Sequence, residues 1–205
     1  MDLRSLGHAQ LDALRETANI GAGHAATALS GLIGHRVLVD VPEVSIVPLE
    51  AAGSLVGDPG EAVSAVIVAV QGDISGRTLQ IFDGDASARL VSFMLRTHEP
   101  AFPDGMHALE RSALKEIGNV IVGAYVNALQ DFTGLRLTMS VPALAIDMAA
   151  AILMTSYLNF GAEDDHVLCI GTRLSVEGTG DMRAHFLLIP EKEALRRILS
   201  ALRLA

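Results

Sequence analysis

The sequence predicts a mixed α/β (α+β) fold made of two related halves with antiparallel strands. Three observations support this fold class: a motif that recurs after 100 residues, a long helical pattern that opens each half, and a hairpin signal within each half. Each half is predicted to contain a long helix, three strands and a closing helix. Residues 1–205 are therefore expected to form one domain of two repeats, about 1–98 and 106–205, joined by a linker over residues 97–105.

The repeat is carried by a polar motif that occupies the same place in each half. In the first half the motif consists of Asp12, Glu16 and Asn19, with Pro42 following 23 positions after the Asn. One hundred residues later the matching positions hold Ser112, Glu116, Asn119 and Pro142. Gly23 and Gly123 also match. An internal repeat with such spacing indicates two structurally equivalent units.

A long helix is predicted over residues 7–31, and its apolar side chains fall on one stripe. With about 100° per residue, that stripe contains Leu11, Leu14, Ala18, Ala22, Ala25, Leu29, Leu32 and Ile33. The motif residues and Gly23 fall together on a separate strip beside it. The second long helix repeats the pattern, with a stripe of Leu114, Gly118, Val122, Tyr125, Leu129 and Phe132. The sequence leaves open whether Gly118 serves close helix packing.

The remaining elements are predicted from segments rich in Val and Ile that are bounded by turn residues. Strands are expected at 36–47, 62–71 and 77–82 in the first half. The second half offers four such segments, at 136–144, 149–160, 167–176 and 183–189, because it carries extra residues between its earlier strands. Turn residues at 72–76 and 177–181 predict one hairpin in each half. Closing helices are expected at 85–96 and 192–202.

Composition argues against several classes of protein. The net charge is −9 and no block of Lys and Arg is present, which disfavours nucleic acid and anionic membranes as partners. The most apolar stretch, residues 148–154, is far shorter than the ~20 residues of a membrane span, so no membrane insertion is expected. Cys169 is the single cysteine, which excludes a disulfide framework and a zinc site. A cytoplasmic location is expected.

The Glu–Asn pair limits the chemistry that each motif can perform. Glu and Asn three positions apart share a helix face, and one such pair is commonplace on protein surfaces. Two pairs at matching positions of a repeat are much harder to explain as surface composition. Asn cannot act as a general base, but its carboxamide can both donate to and accept from one water molecule. That ability suits phosphoryl transfer, in which positioning supplies most of the catalysis.

The duplicated motif resembles that of the CheC/CheX/FliY family of chemotaxis phosphatases, and residues 16–29 and 41–44 look most similar to the CheC type. The resemblance covers essentially the whole chain and implies that the two long motif helices lie side by side. It implies a phosphatase that hydrolyses the aspartyl phosphate of a CheY-type response regulator. Carried over to this sequence, Asn19 and Asn119 would orient the attacking water, and Glu16 and Glu116 would dock on the regulator's lysine.

The resemblance also implies partners and supporting residues. Asp12, Ser112, Pro42 and Pro142 match the looser positions of the motif, and Gly23 and Gly123 are expected to leave room for the docking partner. No cofactor is expected in this chain, because the Mg²⁺ belongs to the response regulator. A CheD deamidase is the second expected partner. Two alternatives remain open: a non-catalytic module like the middle domain of the flagellar switch protein FliM, which lacks the Glu–Asn pairs, or a mainly CheD-binding regulator.

Overall fold

The computed structural model describes residues 8–56, 58, 60–99, 102–158, 166–191 and 193–202. Over these ranges the chain forms, in order, α1 (His8–Ile33), β1 (Val37–Pro48), α2 (Leu49–Val56), β2 (Ala62–Gly72), β3 (Gly76–Phe82), α3 (Gly84–Leu95), α4 (Ala108–Thr133), β4 (Leu137–Met139), β5 (Ala143–Met148), α5 (Ala149–Leu158), β6 (His166–Val176), β7 (Met182–Pro190) and α6 (Ala194–Ala201). None of the described helices is both long and apolar enough to cross a bilayer.

The described strands form one antiparallel sheet in which the two halves are interleaved. Its order is β1-β6-β7-β3-β2-β4, and β5 pairs with β2 further along the same edge. The first strand of each half pairs with the hairpin of the other half, because β1 pairs with β6 while β4 and β5 pair with β2. The two hairpins meet at the centre, where Gln80 of β3 lies opposite Phe186 of β7. Neither half therefore forms a separate sheet.

The long helices α1 and α4 pack against each other on one face of this sheet, as the resemblance implies. Their contact is close, because a Cβ placed on Gly21 would lie 2.6 Å from Cδ1 of Tyr125. Helices α3 and α6 complete the same core layer. The opposite face carries a smaller core, in which α2 and α5 cover Val63, Leu79 and Leu187. The sheet is thus buried on both faces between helices.

Both long helices end in the same way at matching positions. Gly34 has φ +73° and Gly134 has φ +71°, a left-handed conformation that residues with a Cβ adopt only at a cost. The Gly34 N–H donates to the carbonyl of Ser30 at 3.0 Å, and the Gly134 N–H donates to that of Gln130 at 2.8 Å. These caps fix the point where each chain leaves its helix for the edge of the sheet.

The strand predicted over residues 149–160 is wrong, because Ala149–Leu158 forms helix α5. A short apolar run without alternation does not distinguish a buried strand from a buried helix, and the alanines at 149–151 favour the helix. The first half contains an equivalent helix that was not predicted, α2, which starts 100 residues earlier. Each half thus has a short helix between its first strand and its hairpin. Residues 159–160 of the predicted strand lie outside the described residues.

The strand predicted over residues 136–144 is interrupted. Strand β4 ends at Met139 and β5 begins at Ala143, so residues 140–142 leave the ladder. Pro142 lies in this gap, consistent with the lack of a backbone N–H in proline. The other predicted strands, hairpins and closing helices are present with ends shifted by one or two residues. The predicted helix starts at residues 7 and 192, and linker residues 100–101, lie outside the described residues.

Candidate functional site

The first motif lies along one flank of α1. The predicted apolar stripe is confirmed: Leu14, Ala18, Ala22, Ala25, Leu29 and Ile33 are buried, while Leu11 and Leu32 are half-buried. Asp12, Glu16, Asn19 and Gly23 are all exposed. We call these four residues the first strip. Because they follow one another at spacings of three and four, they form a continuous polar line beside the buried stripe.

The second motif lies in the same way along α4, and Ser112, Glu116, Asn119 and Gly123 form the second strip. Ser112 and Glu116 are exposed, whereas Asn119 and Gly123 are half-buried. The Ser112 hydroxyl donates to the carbonyl of Ala108 at 2.9 Å and is therefore engaged with its own helix. The buried stripe is present except at its end, where Phe132 is 43% exposed.

The two strips lie toward opposite edges of the sheet. Helix α1 packs beside edge strand β1. A Cβ placed on Gly123 of α4 would lie 3.6 Å from Cε of Met139, in β4 at the other edge. Each strip therefore faces solvent on its own side of the helix pair, and one large partner can approach either strip without crossing the other.

Glu16, Asn19, Glu116 and Asn119 are free to bind a partner. Within the described ranges, none of these four side chains takes part in a hydrogen bond or an ion pair. No group of three or more His, Cys, Asp or Glu among the described residues is arranged to hold a metal ion. The side chains are therefore hydrated donors and acceptors on a rigid helix, an arrangement suited to intermolecular contacts.

The glycines of the strips differ from those of the helix interface. A Cβ placed on Gly23 meets no atom within 4 Å, so internal packing gives no reason for glycine there. On Gly118, by contrast, a Cβ would overlap with Cγ2 of Val66 in β2. Close packing therefore explains Gly118. Gly23 costs α1 about 1 kcal/mol of helix stability without a packing gain, which points to a requirement from outside the chain.

The two motif prolines lie where the edge strands depart from a regular ladder. The pairing of β1 with β6 shifts register between Asp40 and Glu43, and Pro42 lies within that shift. Pro142 lies in the gap between β4 and β5. Both positions suit a residue without a backbone N–H. Neither proline belongs to a strip, so the structure brings together the helical motif residues and leaves the prolines on the neighbouring strands.

Tyr125 holds α4 against the sheet. Its hydroxyl lies 3.3 Å from Oγ1 of Thr172 in β6, and its ring lies 4.7 Å from that of Phe186. Burial raises the pKa of Tyr125 to about 12, and the hydrogen bond to Thr172 opposes that shift only in part. Through these two contacts Tyr125 fixes α4, the helix that carries the second strip, against the sheet.

Two features beside the second strip were not predicted from the sequence. Arg111 and Lys115 line a shallow groove between the start of α4 and β5, together with Ser112 and Leu144. Met139 and Val141, on the neighbouring edge, are 40% and 88% exposed. The sequence does carry a signal for the basic groove, because Lys115 matches Arg15, another basic residue, at the same position of the repeat. The sequence carries no signal for the exposure of Met139 and Val141, because that exposure depends on where the edge strand is interrupted.

Comparison with known proteins finds that the chain is similar to the CheC-like family and to proteins of that type. A model of the CheC-like family matches residues 10–46 and 109–146, the segments that contain both motifs. The chain is 26% identical over 195 residues to the CheY-P phosphatase CheC of Bacillus subtilis (strain 168), an alignment that covers 94% of this chain and 93% of that protein.

Solved structures show the same fold in three related proteins. Thermotoga maritima FliY has a TM-score of 0.80 at 18% identity, covering 97% of this chain and 98% of that one. The middle domain of FliM from H. pylori has a TM-score of 0.69 at 11% identity, and the superposition covers 96% of this chain and 99% of that one. CheX, in its complex with CheY, BeF3 and Mg²⁺ from Borrelia burgdorferi, has a TM-score of 0.52 at 17% identity and covers 86% of this chain and 97% of that one.

The likeness to FliY, FliM and CheX concerns the fold alone, whereas the family match lies on the helices and edge strands that carry the two motifs. Both halves match, in the order and at the spacing that the repeat predicts. The chain is therefore similar to the CheC-like family over both segments that carry the motifs.

Proposed function

We propose that this protein is a phosphatase that hydrolyses the aspartyl phosphate of a CheY-type receiver domain. The observation that carries the proposal is the presence of two Glu–Asn pairs, at matching positions of the repeat, on open helix flanks. Further support comes from a relative of nearly the same length that is named a CheY-P phosphatase. The CheX structure, which contains CheY, gives a further example of this fold in a complex with a receiver.

In the proposed reaction, Asn19 or Asn119 enters the active site of the receiver and orients a water molecule toward the phosphorus. The carboxamide suits this role because its oxygen accepts from the water and its nitrogen donates to a phosphoryl oxygen. The water oxygen forms a bond to phosphorus, and the bond between phosphorus and the aspartate oxygen breaks. The products are inorganic phosphate and the free carboxylate. Positioning of the water is the main contribution of this chain.

Glu16 and Glu116 are proposed to pair with the lysine of the receiver and so to fix the depth and angle at which the Asn enters. Each Glu lies three residues, nearly one turn, before its Asn on the same helix flank. The Mg²⁺ that neutralises the phosphoryl group is proposed to belong to the receiver. Asp12 and Ser112 are assigned a supporting role at the start of each strip, Gly23 and Gly123 leave room for the partner, and Pro42 and Pro142 shape the adjacent edge strands.

The proposal is tested by measuring the loss of phosphate from a phosphorylated CheY-type receiver. We expect the wild-type protein to accelerate the loss, Asn19→Ala and Asn119→Ala each to lower the rate, and the double variant to leave only the receiver's own rate. Thr155→Ala is the control, because Thr155 is an exposed polar residue of α5, which covers the face of the sheet opposite to both strips. A double variant that keeps the full rate would show that the Asn residues are not catalytic.

A non-catalytic role like that of a flagellar switch module is the alternative outcome of the same experiment. It predicts that the wild-type protein binds the receiver or a motor component without changing the phosphate lifetime. A CheD deamidase is proposed as a second partner. Adding a CheD-type protein to the phosphatase assay tests this proposal directly, because we expect the dephosphorylation rate to rise. An unchanged rate, together with no complex on gel filtration, would remove CheD from the proposal.

A further inference from the structure

The two halves differ most clearly beside their motifs. Val41 and Val141 occupy matching positions of the repeat, yet Val41 is 6% exposed and Val141 is 88% exposed. Two residues earlier, Val39 is half-buried and packs against the core, whereas Met139 is 40% exposed. The same pair of apolar positions therefore belongs to the core in the first half and to the surface in the second.

The backbone explains this difference. Strand β1 accommodates Pro42 by a shift in register between Asp40 and Glu43 and then continues along β6. In the second half the strand is interrupted, because residues 140–142 lie outside β4 and β5. The break turns the side chain of Val141 away from the core.

The exposed segment is nevertheless held in place by Ser140. The Ser140 N–H donates to the carbonyl of Ala69 at 2.9 Å, and the Ser140 hydroxyl accepts from the Ala69 N–H at 3.0 Å. One residue of β2 thus anchors Ser140 through both of its backbone groups. Because the anchor directly precedes Val141, the exposed side chains are presented in a fixed position, and little ordering entropy is lost on binding.

These side chains border the second strip. A Cβ placed on Gly123 would be in van der Waals contact, at 3.6 Å, with Cε of Met139. Gly123 lies one helical turn beyond Asn119. A stable protein–protein contact covers about 800 Å² on each partner. Any protein that docks with Asn119 at the centre of such an area must also cover Met139.

We propose that Met139 and Val141 form a docking ridge that contacts the receiver domain beside the second Glu–Asn pair and makes the second site the stronger binding site. The inference rests on the proposed phosphatase function. Apolar side chains near the centre of an interface contribute most of its affinity. The first site lacks an equivalent ridge, because Val41 belongs to the core.

The ridge is tested in two backgrounds that isolate the sites. In Asn19→Ala only the second site acts, and there the double substitution Met139→Ser/Val141→Ser should raise the KM for the phosphorylated receiver about tenfold and leave kcat nearly unchanged. In Asn119→Ala only the first site acts, and the same substitutions should change neither constant. Met154→Ser is the control, because Met154 is 56% exposed on α5, across the sheet from α4.

The two proposals fail in distinguishable ways. An unchanged KM for the ridge variant in the Asn19→Ala background overturns the ridge and leaves the phosphatase function intact. An equal rise in KM in both backgrounds also overturns it, because the ridge would not be specific to the second site. If Asn19→Ala/Asn119→Ala without ridge substitutions keeps the wild-type rate, the phosphatase proposal itself fails. At receiver concentrations well below KM, Asn119→Ala should lose more of the wild-type rate than Asn19→Ala, and the reverse order would contradict the ridge.

Discussion

Replacing Gly23 by Ala should make the protein more stable, although glycine is the residue that the chain carries there. Glycine within a helix costs about 1 kcal/mol relative to Ala. A Cβ on Gly23 meets no atom within 4 Å, so nothing offsets the gain. We expect the free energy of unfolding to rise by about 1 kcal/mol and the Tm by about 2–4 °C for a chain of this size.

Gly21→Ala is the matched control in the same helix. Its Cβ would lie 2.6 Å from Cδ1 and 3.1 Å from Cα of Tyr125, so α1 and α4 would have to separate. Overpacking of this kind costs about 1–3 kcal/mol, which cancels or exceeds the helix gain. Gly21→Ala should therefore be no more stable than the wild type. Thermal and urea unfolding of both variants measure the contrast.

The functional part of this prediction uses a larger side chain. Gly23→Leu should keep the stability gain, because Leu is nearly as good a helix former as Ala. In the Asn119→Ala background, where only the first site acts, it should lower the dephosphorylation rate by about tenfold or more, because the side chain projects into the space where the receiver docks. A Gly23→Leu protein with an unchanged rate, or a Gly23→Ala protein less stable than the wild type, would refute the reasoning.

The remaining predictions concern stability. Leu114 is fully buried, so Leu114→Ala should lower the free energy of unfolding by about 2–5 kcal/mol in urea titrations; a loss below about 1 kcal/mol would contradict the packing of α4 on the sheet. Burial, assisted by Glu43, raises the pKa of Cys169 to about 12 from 9.0. Because the unfolded thiol ionises first, the free energy of unfolding should fall as the pH rises from 9 to 12. Cys169→Ala should make this fall shallower, and an identical slope would contradict the burial of the thiol.

The long helices could be predicted from the sequence because a 3.6-residue period sustained over 26 residues is a strong signal. This period correctly predicted that Leu14 and Leu114 lie in the core and that Glu16 and Glu116 lie on the surface. Helix α5 could not be predicted in the same way, since its ten residues contain an almost unbroken apolar run. Its burial comes from α2 and the sheet, which are remote in sequence.

The pairing of the strands also could not be predicted from the sequence. Alternating hydrophobic residues indicate a strand but not its neighbour, so the pairing of β1 with β6, across the two halves, follows only from the structure. The same limit applies around the sites. The helical angles place Gly23 on the polar strip, but the close contact of Gly21 with Tyr125 of the other helix follows only from the structure. Val41 and Val141 look alike in the sequence, and their difference depends on whether the edge strand bends or breaks.

The central claim is that two Asn side chains on equivalent helix flanks perform the hydrolysis. The most direct measurement is the rate of phosphate loss from a phosphorylated CheY-type receiver with the wild-type protein and with Asn19→Ala/Asn119→Ala, each shown to be folded by circular dichroism. We predict acceleration by the wild type and none by the double variant. Acceleration by the double variant equal to that of the wild type would contradict the claim.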